Sequence, residues 1–145
     1  MRAKTFRATA AAALALTGSA KMLSGLGSAK LLETADPIFG VTLRMVLLLT
    51  GIVECLVAVF CLLDRHEAIA IPLVAWLAAS FLAYRLGLWW IGWHRPCPCL
   101  GTLTDALGLS PAWASNAMKL VAVYLLAGSY ALLFCRREPS PAGGS

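Results

Sequence analysis

Residues 42–63 read TLRMVLLLTGIVECLVAVFCLL. At 1.5 Å rise per residue this run is long enough to cross a hydrocarbon core of about 30 Å. Glu54 is its one internal charge, in a segment otherwise uniformly apolar. A charge at the centre of a bilayer is costly, so a carboxylate there is retained for a partner or a function. The rest of the chain follows the same pattern. It has 145 residues, 60% hydrophobic and only 13% charged, where a soluble domain carries about a quarter charged.

Working outward from this run, three more apolar segments suggest helices over about 6–26, 68–90 and 111–135. The expected fold is therefore all-α, a four-helix transmembrane bundle in a single domain spanning 1–137. The first segment is the least apolar, built from Ala, Leu, Gly, Ser and Thr. Its Met1–Arg7 and Gly18-Ser19-Ala20 stretches also fit a cleaved signal peptide. A retained helix is the reading preferred here, because Ala and Gly suit close packing between helices. The third segment carries Pro72, expected in the first turn, where proline is tolerated. The fourth follows Ser110-Pro111, a residue suited to capping followed by proline at the first helical position. The tail from Glu138 to Ser145 is rich in Pro, Gly and Ser and is expected to be disordered. Between the first two helices, Lys30, Glu33 and Asp36-Pro37 are interspersed with Leu31, Leu32, Ile38 and Phe39, which suggests a short interfacial helix ending before Pro37.

The net charge of +5 does not indicate nucleic acid, because no basic face carries interleaved aromatics. The cations instead set an orientation. Arg2, Lys4, Arg7, Arg65, Arg136 and Arg137 fall on one side, against Lys30, Arg44 and Arg95 on the other. The positive-inside rule then places both termini and the Asp64–Glu67 turn in the cytoplasm of a bacterial inner membrane. The loops around 27–41 and 93–110 face outward. Trp89, Trp90, Trp93 and Trp113 flank the second loop as an interfacial aromatic belt.

That loop contains Pro96-Cys97-Pro98-Cys99-Leu100-Gly101. Cys55, Cys61 and Cys135 lie in or at the ends of helices and read as small packing residues. Cys97 and Cys99 sit on the oxidising side, where disulfides persist. A disulfide across one intervening residue is strained, and strained disulfides are the exchange-prone kind. Three readings stay open at this point: a redox-active pair, a soft-metal site for Cu(I) or Zn(II) with His94 as third ligand, and a static staple in an assembly subunit.

Four ionisable residues fall within the spans. From helical rise, Arg85 lies about 5 Å, Lys21 and Lys119 about 10 Å, and Glu54 about 18 Å from the outer surface. Glu54 is expected to be the buried counter-charge for one or more of these cations. The surplus positive charge would favour thiolate at a nearby cysteine or hold an anionic or quinone-like ligand. Snorkelling to headgroups is the competing explanation for Arg85 and Lys119, but not for Glu54.

Several of these residues together resemble the DoxX-like membrane proteins, and among them the methylamine-utilisation MauE branch. The matching positions are Gly18-Ser19-Ala20-Lys21, Asp36-Pro37-Ile38-Phe39-Gly40, Glu54, Tyr84-Arg85 and Cys97-Pro98-Cys99-Leu100-Gly101, spread over about residues 14–135. The last is similar to that branch's Cys-x-Cys-Phe-Gly signature, with Leu100 where Phe is usual. The resemblance implies a four-helix membrane bundle that supports thiol–disulfide handling of exported proteins. Cys97 and Cys99 would then be the redox pair, with Lys21, Glu54, Arg85 and Lys119 as a polar interior. A membrane quinone is the candidate cofactor. Periplasmic thiol proteins and a homo- or hetero-oligomer are the candidate partners. Methylamine metabolism itself is not implied.

Overall fold

The computed structural model describes residues 3–28, 30–63, 67–93 and 111–135. Among these the chain forms helices α1 (Ala3–Leu26), α2 (Leu43–Leu62), α3 (Glu67–Trp90) and α4 (Pro111–Cys135), with a short 3-10 helix at Lys30–Glu33. The described residues hold no strand, only one isolated antiparallel bridge between Ala35 and Thr42. Three of the helices contain segments long and apolar enough to cross a membrane: Leu43–Leu62, Ile69–Trp90 and Asn116–Phe134. α1 has the length, but its small and hydroxyl-bearing residues leave it less apolar.

α1 runs antiparallel along α2, and the register is legible in the small residues. Arg7, Ala11, Leu14, Gly18, Lys21 and Gly25 of α1 are all buried, at alternating spacings of four and three that keep one stripe turned to a neighbouring helix. On α2 the buried residues are Leu43, Leu47, Gly51, Glu54, Val57, Ala58 and Cys61. Gly18 and Gly51 bring the two backbones together. A Cβ on Gly18 would stand 2.9 Å from the Gly51 carbonyl oxygen, and one on Gly51 would stand 2.9 Å from the Gly18 carbonyl oxygen. Only residues without a side chain allow this approach.

The opposite face of α2 is apolar and exposed: Met45, Leu49, Ile52, Leu56, Val59 and Leu63 follow one another at helical spacing. A face of this kind is a liability in water and a natural surface in lipid.

α3 packs chiefly on α4. The apolar core joins all four helices at the end where α1 and α3 begin and α2 ends. It is built from Phe6, Ala10 and Leu14, Val57 and Cys61, Ala70, Val74 and Leu77, and Leu125. Phe6 lies against Gly128 of α4 and 5.9 Å from the ring of Tyr124. Arg7, 5% exposed, closes this end. Its guanidinium donates to the Cys61 carbonyl at 3.0 and 3.1 Å and to the Leu63 carbonyl at 3.3 Å, meeting the carbonyls that the last turn of α2 leaves without intrahelical partners.

One expectation is corrected. α3 begins at Glu67, so Pro72 lies inside the helix rather than in its first turn, where it removes one i to i−4 backbone bond. The turn with Arg65 and His66, the loop with His94, Arg95, Cys97 and Cys99, the cap at Ser110 and the tail from Glu138 lie outside the described residues.

Candidate functional site

At the end of the bundle away from the Phe6 core, the helices separate instead of interlocking. They enclose a cavity of about 630 Å³, open on one side and lined from all four helices. That volume falls in the range of small-molecule sites. Its walls are mostly aliphatic and aromatic, with Phe39, Trp76, Phe81, Tyr84 and Trp89 among them.

One end is closed by an ion pair. Lys21 on α1 and Glu54 on α2 are each only 1% exposed, and Lys21 Nζ donates to Glu54 Oε1. The same ammonium stands 3.9 Å above the centroid of the Phe81 ring on α3, a cation–π contact that grows stronger without water. Gly18 is what lets Lys21 reach across, because it holds α1 against the turn of α2 that carries Glu54. The second carboxylate oxygen, Oε2, is buried. A buried carboxylate oxygen without a donor is expensive. Besides Lys21, the Thr17 side chain of α1, which also lines the cavity, hydrogen-bonds to this carboxyl group.

The opposite end is covered by the loop between α1 and α2. Asp36, 1% exposed, accepts from the backbone N–H groups of Ile38 and Phe39, each at 2.9 Å, through Oδ1. Its Oδ2 accepts from the Tyr84 hydroxyl of α3. Phe39 stacks on the Tyr84 ring with centroids 5.8 Å apart. The loop is closed by Asp36 N–H to the Val41 carbonyl at 2.7 Å and Leu43 N–H to the Thr34 carbonyl at 3.0 Å. Gly40 supplies the left-handed turn, φ +69°, that this return requires. The 3-10 helix at Lys30–Glu33 matches the short helix expected before Pro37, and its Glu33 accepts from Arg44 at 2.9 Å on the surface.

The four charges expected within the spans therefore separate. Lys21 is the cation that meets Glu54. Arg85 is half-buried and lines the cavity. Lys119 also lines it but is exposed, and its ammonium stands 3.5 Å from the Asn116 side-chain oxygen. Cys55 and Cys61 are free thiols, half-buried and buried. Among the described residues no cluster of His, Cys, Asp and Glu is arranged to hold a metal ion. The redox pair Cys97 and Cys99 and the alternative ligand His94 fall outside the described residues.

Sequence reasoning placed Arg7 among the cytoplasmic flanks and did not anticipate the Asp36–Tyr84 contact or the role of Phe81. A signal for Arg7 was present: it lies two heptads before Lys21, on the same stripe as Gly18 and Gly25. No spacing rule links Asp36 to Tyr84, because they meet only through tertiary packing.

Fold and site define a helical protein with three membrane-capable helices and a polar pair at the base of an apolar cavity. Comparison with protein-family models, with curated proteins and with solved structures finds no match.

Proposed function

We propose that the chain is a multi-pass protein of the bacterial inner membrane that exchanges disulfides with exported thiol proteins through Cys97 and Cys99. The observation that carries this reading is the Cys97-Pro98-Cys99 run itself, four positions beyond Trp93, a residue lining the cavity. It is supported by the resemblance of this run, with Glu54 and Tyr84-Arg85, to the DoxX-like and MauE proteins.

In this reading all four helices cross the bilayer, both termini are cytoplasmic and the cysteine loop faces outward. The burial pattern of α1 supports its crossing. Arg7, Lys21 and Ser24 are buried, whereas Leu16, Leu23 and Leu26 are exposed. The helix thus turns Arg7, Lys21 and Ser24 inward and three leucines outward, with Thr9 and Ser19 exposed beside them.

The chemistry balances as follows. A thiolate of the exported protein attacks one sulfur of a Cys97–Cys99 disulfide, and a mixed disulfide forms. The partner's second thiol displaces it, so the partner leaves oxidised and Cys97 and Cys99 retain two electrons and two protons. These pass to a membrane quinone, which becomes a hydroquinone.

The test is labelling of intact spheroplasts with maleimide-polyethylene glycol, with and without mild reduction, together with single Cys97→Ser and Cys99→Ser variants. Labelling from outside only after reduction, and mixed disulfides trapped or lost in the variants, are the expected results. Normal thiol traffic in both single variants would remove the redox assignment.

A further inference from the structure

We propose that the cavity is a binding site for one membrane lipid with an anionic head, its acyl chain held against the apolar walls and its head met by Arg85 and Lys119. This assignment rests on the membrane reading of α2, α3 and α4 and is independent of the redox reading of Cys97 and Cys99.

The first observation is charge. Among the described residues the cavity lining holds three cations, Lys21, Arg85 and Lys119, against the single carboxylate of Glu54. Lys21 and Glu54 balance one another, so the rest of the lining is positive. Two further carboxylates are engaged elsewhere. Glu33 accepts from Arg44 on the surface, and Asp36 accepts from Tyr84 and from two backbone N–H groups. Lys119 is the sharper case. It lies in a segment with the hydropathy of a membrane span and is exposed. Among the described residues its hydrogen-bond partner is the neutral side-chain oxygen of Asn116, at 3.5 Å. A cation at such a place is costly unless an anion meets it.

The second observation is the wall. Leu82, Phe81 and Leu77 carry the α3 side of the cavity away from Arg85, over about 12 Å at the helical rise. Val121 and Leu125 of α4 line it as well. A run of methylenes gains from burial against such a surface, and about 630 Å³ accommodates an acyl chain. A water-soluble anion would gain nothing from these walls. An uncharged lipid would leave the surplus positive charge unanswered.

The third observation is the opening. Leu49 and Val53 of α2 and Trp76 and Leu86 of α3 line the cavity while remaining exposed. The opening is therefore apolar and lies between two helices with the hydropathy of membrane spans. An acyl chain enters it sideways from hydrocarbon. Trp89, also exposed and lining the cavity, stands one turn beyond Arg85. Tryptophan settles at the level of the lipid headgroups, so an anionic head beside Arg85 stays at the interface while its chain descends into the cavity.

The experiment uses the full chain, recovered from membranes in detergent, and counts bound lipids by native mass spectrometry. The lipids added are phosphatidylglycerol, phosphatidylcholine and palmitate. The unmodified protein should retain one phosphatidylglycerol in preference to phosphatidylcholine. Lys119→Gln and Arg85→Gln should each weaken that binding about fivefold, the effect of one cation on an anionic lipid, and Lys119→Arg should restore it. Ser80→Trp, which fills the cavity from an exposed position on α3, should abolish it with helix content unchanged by circular dichroism. Palmitate distinguishes the two sources of an anionic head. Displacement of phosphatidylglycerol by palmitate assigns the site to single-chain acids, and failure to displace assigns it to phospholipid. Equal retention of phosphatidylcholine, or a phosphatidylglycerol preference that survives Ser80→Trp, overturns the proposal, the latter because the lysine and arginine would then be meeting surrounding headgroups outside the cavity. Recovery of the unmodified chain in the soluble fraction would remove the membrane reading itself, whereas a membrane-embedded chain without selective lipid removes only this one. The double variant Cys97→Ser/Cys99→Ser should bind lipid as the unmodified protein does, and loss of binding there would also count against a site built from the cavity.

Discussion

Lys21 and Glu54 hold one another in a place where neither is stable alone. Each is desolvated by the helices around it, and a buried pair of this kind contributes little net stability although breaking it is costly. Lys21→Met should therefore destabilise the protein by about 3–5 kcal/mol, because it abandons the Glu54 carboxylate in an apolar interior. The double variant Lys21→Met/Glu54→Leu should recover most of that loss. Thermal unfolding in detergent measures both, and a double variant no more stable than the single one would show that the pair itself stabilises. Arg7 acts differently. It supplies donors to two carbonyls at the end of α2, and Arg7→Ala should cost about 1.5–3 kcal/mol, the range for hydrogen bonds to charged groups.

At the scale of helices and loops, two contacts set the frame of the cavity. The first is the α1–α2 seam. Gly51→Val would force a branched side chain against the Gly18 carbonyl oxygen and the Met22 side chain, separating the helices and with them Lys21 from Glu54. The expected outcome is loss of cross-linking between cysteines introduced on facing positions of α1 and α2, with helix content retained by circular dichroism. The second is the loop between α1 and α2. Tyr84→Phe removes the hydroxyl that Asp36 Oδ2 accepts and leaves a buried carboxylate oxygen short of a donor, a cost of about 1–3 kcal/mol. Hydrogen exchange should accelerate at the amides of Ile38, Phe39 and Leu43 while the interior of α2 stays protected. Uniform acceleration along α2 would show that the loop and helix unfold as one unit.

For the molecule as a whole, the surface is as informative as the interior. The exposed stripe on α2, Met45 to Leu63, is a water-facing liability or a lipid-facing wall, and the two give opposite results on adding charge. Ile52→Lys should depress membrane insertion and yield of folded protein, at a cost of about 2.5–3.5 kcal/mol for a cation near the centre of a spanning helix. Neutral or improved yield would place this face against water or another protein.

Membrane character and helix number were legible in order along the chain, because both depend on the length of apolar runs and the costs of burying polar backbone. The helical bounds expected for 6–26, 42–63, 68–90 and 111–135 agree with the observed elements to within a few residues. Glu54 was recognisable as a buried acid to be met by a cation, since its side chain is too short to reach the surface and a charge is costly in hydrocarbon. Which of Lys21, Arg85 and Lys119 would meet it was not written in any local pattern. That choice depended on Gly18 and Gly51 drawing α1 onto α2, which carries Lys21 inward while Lys119 remains exposed on α4. The cavity and the Asp36–Tyr84 roof likewise arise only when four helices meet. They depend on how residues far apart in sequence pack against one another, and short-range periodicity holds no record of those distances.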